Sequence, residues 1–301
     1  MAEVTAALVR ELRERTGAGM MDCKGALTET GGDIDEAIVY LRKKMGSKLS
    51  TREGRVAAEG IIAACVVDNE DAALIELNSE TDFVARSADF RQLAAELAEQ
   101  VARRGGHSVE TVLAQESTEA PGATVKDRLH DVFTRLRENI VFKRFEFIST
   151  DACGAVATYV HTPAGDKIGV LVEVEAESAD AARSEAVLHL ARELAMQIAG
   201  ARPKYLEAAE VTQAEIDRER DIARTQALNE GKPEAAVEKI VEGRLQKYYE
   251  NVVLLNQRYQ RDPKLTVSAL LASVAGGVKV RRFVRYEVGE LSTAEPPGSE
   301  A

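Results

Sequence analysis

Asp82 and Phe83 stand side by side in the stretch NSETDFVARSADF, residues 78–90, between an apolar run and an amphipathic pattern. Turns favour Gly, Pro, Asn, Asp and Ser for specific backbone reasons, and an aromatic ring offers none of them. Phe83 is therefore either buried under the turn or held out for a partner. The Asp82 carboxylate, with Asn78 and Glu80 nearby, is a candidate metal ligand, but three side chains in a flexible turn make a poor cage. We expect no metal site here.

Residue types that often carry catalysis lie far apart in the chain. The histidines and cysteines are His107, His130, His161, His189, Cys23, Cys65 and Cys153. Their spacing indicates neither a paired metal site nor a disulfide framework. The sequence also lacks a phosphate-binding G-x-x-x-x-G-K-[ST] loop, a dinucleotide fingerprint and a G-x-S-x-G elbow. We therefore predict a protein that is not an enzyme and needs no cofactor.

Composition and charge narrow the class of partner. The 301 residues are 45% apolar, enough for one large core or several smaller ones, and carry a formal net charge of -11. Because phosphate binding needs concentrated Lys and Arg, this charge argues against direct nucleic-acid binding and favours a protein or small-ligand partner. We find no signal-peptide pattern and no run of about 18 apolar residues, so we expect a cytoplasmic protein without membrane contact.

Residues 1–45 predict a head of three short helices. Thr5 suits the cap of the first helix, and a second helix is predicted over 22–30. Asp33 and Glu36 have the spacing of a capping box at the start of a third, amphipathic helix. A bundle this small has a marginal core, so it needs a neighbour or serves as a docking head.

Two further features of this region bear on its role. Met20 and Met21 stand between glycine-bearing turns and suit either the core or a contact surface, since an unbranched thioether adapts to a partner's face. The polar, basic segment 46–55 is predicted to be a linker.

The rest of the chain repeats itself at a constant offset, which pairs Glu76 with Glu173 and Arg86-Ser87 with Arg183-Ser184. The helix that follows carries the same apolar spacing in both copies: Phe90, Leu93, Ala94, Leu97, Ala98 and Val101 in the first, and Val187, Leu190, Ala191, Leu194, Ala195 and Ile198 in the second. We predict two homologous α+β subdomains, 56–150 and 151–291. Each has a three-stranded antiparallel sheet with helices on one face, and the closing strands lie at 142–147 and 283–288.

The repeat also bears on Phe83. Thr81-Asp82-Phe83-Val84 align with Ser178-Ala179-Asp180-Ala181, so one copy has Phe where the other has Asp. Burying an unpaired charge costs several kcal/mol, so a site that accepts Asp is not deeply buried. The comparison favours Phe83 as an exposed recognition wedge over Phe83 as a core residue.

The second copy carries an insertion at about 212–251 that predicts a two-helix hairpin. Thr212 and Glu215 form a capping-box pattern, and Gly231 and Pro233 supply a stop and a restart. Its apolar positions need a partner, either each other or another subunit. These positions are Ile216, Ile222, Ile240, Val241 and Leu245. The tail, 292–301, has the composition of a disordered segment.

Two stretches resemble the elongation factor Ts family, the exchange factors for elongation factor Tu in bacteria and organelles. They are LRERTGAGMMDCKGALTETGGDIDEAIVYLRKK at 12–44 and ELNSETDFVARSADF at 76–90. The order of modules, from a three-helix head through a duplicated core with an inserted hairpin to the closing RFVRYEVGE strand, follows the family from end to end. The resemblance implies a UBA-like head and a function in translation.

The family resemblance also implies roles for particular residues. Such proteins bind elongation factor Tu with GDP and promote GDP release and GTP loading by disturbing the magnesium and phosphate sites of the GTPase. Thr81-Asp82-Phe83-Val84 match the family's wedge. Arg13, Met20 and Met21 match positions that touch a helix of the GTPase domain, and His161 matches a contact position on the core. Some members dimerise through the hairpin, which implies a possible homodimer here.

An alternative from another class is a non-enzymatic ribosome- or RNA-associated accessory protein. It would use a basic cluster made of Lys43, Lys44, Lys48, Arg52 and Arg55. The acidic net charge counts against this interpretation, and a salt-dependent affinity for RNA would be its signature. A third interpretation, an enzyme with an acidic site around Asp82, lacks a partner base and a phosphate loop.

Overall fold

The computed structural model describes residues 4–16, 19–41 and 57–290. The predicted linker 46–55 and the predicted tail 292–301 lie outside these ranges, and the proposed module boundaries stay predictions. Within them the protein is a mixed α+β structure, as predicted, with helices and three small antiparallel sheets. In the same ranges, no helix has the length and apolar character needed to cross a membrane.

The head contains three short helices: α1 (Ala6–Thr16), α2 (Met20–Glu29) and α3, which the structure describes over 34–41. Two predicted caps form, because the Thr5 hydroxyl accepts the Leu8 N–H at 3.3 Å and the Asp33 carboxylate accepts the Glu36 N–H at 2.8 Å. The head has its own small core of Val9, Leu12, Cys23, Ala26, Leu27, Ala37 and Leu41. Helix α2 begins earlier than predicted, so Met20 and Met21 form its first turn.

The first copy of the repeated unit is a three-stranded antiparallel sheet with one face covered by helices. Its elements are β1 (Glu59–Val67), β2 (Asp71–Ser79), α4 (Asp82–Ala85), α5 (Ala88–Arg104), α6 (Val109–Ala114), α7 (Val125–Leu136) and β3 (Val141–Ser149), with the strands in the order β1-β2-β3. Alternate residues of β2, such as Ile75 and Leu77, join the apolar face of α5 in one core.

The second copy has the same plan with the insertion and a small extra sheet. Its elements are β4 (Gly154–Val160), β5 (Ile168–Glu175), α8 (Ala179–Ala182), α9 (Glu185–Ala201), α10 (Gln213–Asn229), α11 (Glu234–Val252), β6 (Arg258–Tyr259), β7 (Asp262–Thr266), α12 (Val267–Ser273) and β8 (Lys279–Glu287). The main sheet has the order β4-β5-β8, and β6 pairs with β7. Strand β8 begins at Lys279 rather than at 283, because Lys279 and Val280 already pair with the end of β5, at Glu175 and Val174.

The two sheets pack face to face, so the molecule has four layers in the order helices, sheet, sheet, helices. The residues between the sheets include Ile62, Ala72, Leu74, Ile148, Val156, Leu171 and Tyr286. The prediction of helices on one face of each sheet is confirmed, and the other face of each sheet is covered by its homologous copy.

The inserted hairpin, α10 and α11, forms a separate small core. Ala223, Ala227, Val237, Val241 and Leu245 are buried there, with Ile216 and Ile240 packed against them. The predicted capping box at Thr212 and Glu215 is present. Four of the five predicted apolar positions therefore satisfy one another, whereas Ile222 remains exposed, as does Leu228, which was not among them.

Candidate partner-binding site

The segment around Asp82 is one turn of helix, α4, rather than the open turn that its composition suggested. Thr81 is its N-cap, with the Thr81 hydroxyl accepting the Val84 N–H at 3.4 Å. Ser87 ends it and starts α5, since the Ser87 hydroxyl donates to the Val84 carbonyl and accepts the Phe90 N–H. An isolated helix of this length does not persist, because the first turn costs more entropy than its hydrogen bonds return. Its neighbours must hold α4 in place.

Phe83 points away from the core. Its side chain is 83% exposed, so the buried alternative for this ring is wrong. Asp180, at the same place on α8, is exposed as well, which agrees with the argument from the two copies. On the same short helix, Ala85 is buried and Val84 packs against the first core. One face of α4 is thus fixed in the protein while the aromatic ring stands free on the other.

Asp82 contributes a partly exposed carboxylate beside this ring. It forms an ion pair with Arg86 one helical turn later, at 3.2 Å. Pairs this exposed contribute little to stability, so the Asp82 carboxylate is accessible to a partner at small cost. Among the residues described, no group of three or more His, Cys, Asp and Glu side chains is placed to hold a metal ion.

A carboxylate from the loop after α7 holds the start of α4. Glu138 accepts the Thr81 N–H at 3.0 Å with one oxygen and the Thr81 hydroxyl at 2.6 Å with the other. In the opposite direction, Glu80 accepts the Asn139 N–H at 2.8 Å. Sequence reasoning missed Glu138. It lies 57 positions from Thr81, outside any helical or strand spacing, and no local pattern marks it.

The head presents its predicted contact residues to solvent. Met20 is 59% and Met21 76% exposed, which excludes the core alternative for both, and Arg13 is exposed on α1. At the N-cap of α2, Gly19 lies against the Arg137 guanidinium, such that an added Cβ would stand 2.6 Å from Nη2. The head therefore touches the core at the residue next to Glu138.

His161 lies in the second subdomain, at the end of β4. Its Nδ1 is 2.8 Å from the Tyr159 hydroxyl, and the ring is half-buried. The hairpin loop that follows is tied down rather than free: the Asp166 carbonyl accepts the Ile62 N–H, and the Asp166 carboxylate pairs with Arg91 at 2.9 Å. The site residues predicted from the sequence thus fall on three separate elements, namely the head, α4 and the end of β4.

These features define a class of protein: a helical head and a duplicated α+β core that expose apolar side chains from anchored helices. A family model described as Elongation factor TS matches residues 80–290. A relative named Elongation factor Ts, from Clostridium botulinum (strain Alaska E43 / Type E3), is 47% identical over 292 residues, which cover 95% of this chain and 93% of that relative. The chain belongs to the elongation factor Ts family of translation elongation factors.

Proposed function

We propose that the protein binds elongation factor Tu carrying GDP and promotes the release of GDP and the loading of GTP. The observation that carries the proposal is the Phe83 side chain, 83% exposed on a helix that is fixed from behind. A large apolar ring held in water on a supported element is poorly explained by folding, since it contributes little burial there. It is well suited to enter a pocket of a partner protein.

Exchange of this kind requires differential binding and no bond-making chemistry. The factor must bind the nucleotide-free partner more tightly than the nucleotide-bound partner, and by linkage it then weakens nucleotide binding by the same ratio. A nucleotide held at nanomolar affinity is bound by about 12 kcal/mol, so its rapid release needs several kcal/mol of coupling. The proposed function therefore needs no catalytic base or nucleophile and does not make the protein an enzyme.

In this proposal α4 acts as a wedge, with Thr81 and Val84 holding it and Asp82 and Phe83 entering the GTPase domain near the magnesium and phosphate sites. Burying one aromatic side chain yields about 2–3 kcal/mol, which is less than the coupling required. A preformed helix spends none of this energy on ordering itself. The remaining energy would come from a wider footprint.

That wider footprint includes the other exposed positions. Met20, Met21 and Arg13 would contact the GTPase domain from the UBA-like head, and His161 would contact the partner from the second subdomain. Met20 and Met21 support this assignment because both side chains are exposed on α2, while other residues form the core of the head. An unbranched thioether adapts readily to the surface of a partner. We place the protein in the cytoplasm, where elongation takes place, without direct contacts to nucleic acid or membrane.

We also propose that the hairpin permits a homodimer. Ile222 and Leu228 are 41% and 51% exposed on α10, although the other apolar positions of the hairpin are satisfied internally. Sedimentation velocity with Leu228→Glu as the comparison tests this: a dimer lost in the variant supports the proposal, and a wild-type monomer at high concentration contradicts it.

The exchange function is tested by stopped-flow release of fluorescent GDP from bacterial elongation factor Tu at several magnesium concentrations. We expect wild-type protein to accelerate release. Phe83→Ala should slow the accelerated reaction by about tenfold or more, because the lost burial exceeds about 1.4 kcal/mol. Asp82→Ala should slow it as well. The thermal unfolding midpoint of Phe83→Ala should stay unchanged, since the ring lies in solvent.

The duplicated unit offers a matched control. Asp180→Ala changes the exposed side chain at the position on α8 that corresponds to Phe83, and it should leave the rate of GDP release unchanged. Equal acceleration by Phe83→Ala and wild type would contradict the wedge. Absence of acceleration by wild type, with a competent elongation factor Tu, would contradict the exchange function and lead to a test of RNA binding.

A further inference from the structure

Helix α4 is only one turn long, and its N-cap Thr81 is bound by the Glu138 side chain from outside the helix. Its intrahelical bonds are few, for example the Ala85 N–H to the Thr81 carbonyl at 3.2 Å and the Arg86 N–H to the Asp82 carbonyl at 3.1 Å. The Thr81 hydroxyl is shared: it accepts the Val84 N–H and donates to Glu138. The cap of α4 therefore has its orientation set by a side chain from another element.

The bond from Glu138 is of a strong type. Both carboxylate oxygens are used, at 3.0 Å to the Thr81 N–H and 2.6 Å to its hydroxyl, so the carboxylate cannot swing without breaking one of them. Charge-assisted hydrogen bonds are shorter and about twice as strong as neutral ones. Because the bond includes the Thr81 backbone, it fixes the direction in which the chain enters α4 and hence the direction of Phe83.

The loop that carries Glu138 is itself held on both sides. The Asn139 N–H, buried, donates to the Glu80 carboxylate just before α4 at 2.8 Å. Arg137, on the other side, lies against Gly19 of the head. Three consecutive residues, 137–139, thus contact the head and the start of α4.

The second copy shows what the unit does without this carboxylate. Phe142 and Val280 pair with Leu77 and Val174 in the same register, and Glu138 and Gly276 stand at the same distance before them. Gly276 has no side chain, and its carbonyl instead accepts the Glu177 N–H at 2.8 Å. Helix α8 in that copy still has its serine cap, Ser178, but it carries no aromatic residue.

We propose that Glu138 is a positioning residue for exchange, which holds α4 so that Phe83 enters the partner in the orientation that releases GDP. The inference rests on the proposed exchange function and adds to it a residue that does not itself reach the nucleotide. Phe83 can disturb the nucleotide site only if α4 keeps its orientation when the partner binds. Loss of Glu138 therefore lowers the maximal rate of GDP release more than it lowers affinity for the nucleotide-free partner.

The test compares Glu138→Gln and Glu138→Ala with a matched pair, Glu96→Gln and Glu96→Ala. Glu96 is a half-buried carboxylate of the same subdomain that receives two bonds from Arg128, at 2.8 and 3.0 Å, and it joins α5 to α7 away from α4. The first readout is hydrogen–deuterium exchange of the peptide containing Thr81 to Arg86. The second readout is the rate of fluorescent GDP release at saturating factor, alongside the affinity for nucleotide-free elongation factor Tu.

We expect Glu138→Ala to speed amide exchange in this peptide by about tenfold, equivalent to about 1.4 kcal/mol, and to lower the maximal release rate by a similar factor, because both charge-assisted hydrogen bonds to Thr81 are lost. Affinity for nucleotide-free partner should fall by less than about threefold, since the apolar contacts remain. Glu138→Gln, which keeps the shape and one acceptor, should be intermediate. The Glu96 variants should change neither quantity.

Two results would overturn the inference: unchanged amide exchange at α4 in both Glu138 variants, or faster amide exchange with an unchanged maximal release rate. If wild type does not accelerate GDP release, the exchange function fails and with it the role of Glu138 in exchange. The amide-exchange comparison then still shows whether Glu138 holds α4, so the two failures are distinguishable.

Discussion

At the scale of single residues, each sheet has one buried glutamate on its middle strand that forms ion pairs with the closing strand. Glu76 is fully buried, and its carboxylate receives Arg144 at 2.6 Å and Lys143 at 3.1 Å. Glu173 repeats the arrangement in the second copy with Arg282 at 2.9 Å and Arg281 at 3.2 Å. A buried charge without a partner is costly, so each network favours one register between the middle strand and the closing strand.

We predict that Glu76→Gln lowers the free energy of unfolding by about 2–3 kcal/mol, because two cations lose their buried counter-charge while Arg144 stays largely buried. Urea unfolding monitored by circular dichroism measures the loss. Glu99→Gln is the control: the Glu99–Arg103 pair is solvent-exposed, so its loss should leave the urea unfolding midpoint nearly unchanged. Equal stability of Glu76→Gln and wild type would show that the network contributes no net stability.

Residue-level predictions from the sequence succeeded where the two copies could be compared. The exposure of Phe83 followed from the Asp at the same place in the second copy, because one backbone site imposes one degree of burial on both. Glu138 had no such signal. Its partner Thr81 is distant in sequence, and only the docking of the α7–β3 loop beside α4 brings the two together.

At the scale of elements, apolar periodicity identified the long helices α5 and α9, and the capping box of Thr212 and Glu215 identified the start of α10. The structure adds Ser87 and Ser184 as the caps of α5 and α9. Helix α4 was missed as a helix, since four residues are too few to show a period of 3.6. The bulges that follow Glu76 and Glu173 were missed too, because an extra residue in a strand changes pairing without changing composition.

The base of the hairpin makes a prediction about pH. The Tyr205 hydroxyl donates to the Glu215 carboxylate at 2.7–2.8 Å. This hydrogen bond, together with one from the Thr212 hydroxyl, lowers the pKa of the Glu215 carboxyl. The same bond to Glu215 raises the pKa of Tyr205 to about 12. A lowered carboxyl pKa stabilises the fold above the unfolded value of about 4.3, and this contribution is lost as pH falls through the folded pKa. A raised tyrosine pKa stabilises below about pH 10, and this contribution is lost as pH rises through the folded value.

Tyr205→Phe should therefore lower the thermal unfolding midpoint at pH 7, and the difference from wild type should shrink at an acid pH below the lowered folded pKa of the Glu215 carboxyl, where that carboxyl is protonated. Differential scanning calorimetry at both pH values checks this. Tyr249→Phe serves as the control, since the described contacts of that ring are with Tyr248 rather than with a carboxylate. A difference that is the same at both pH values would contradict the linkage to Glu215.

At the scale of the whole molecule, the sequence predicted two copies of one unit but not how they meet. The near-continuous apolar runs of β1 and β2 mark strands that are buried on both faces, yet they do not say which element covers the second face. The other sheet covers that face, and Gly169 of β5 lies close against Ile62 and Leu74 of the first sheet. That contact joins the subdomain that bears α4 to the subdomain that bears His161.

Gly169→Ala tests the closeness of this packing. The added methyl would stand 2.9 Å from Leu74 Cδ1 and closer still to Ile62 Cγ2, and both side chains are themselves buried. Overpacking of this kind costs about 1–3 kcal/mol, which exceeds the gain of about 0.5–1 kcal/mol from replacing a strand glycine. We expect a net loss of stability in urea unfolding. Gly243→Ala on α11 is the opposite control: nothing lies within 4 Å of its added methyl, so the helix should gain up to about 1 kcal/mol. A Gly169→Ala protein as stable as wild type would show instead that the Ile62 and Leu74 side chains adjust to the added methyl, so that the packing of the two sheets is not tight at this point.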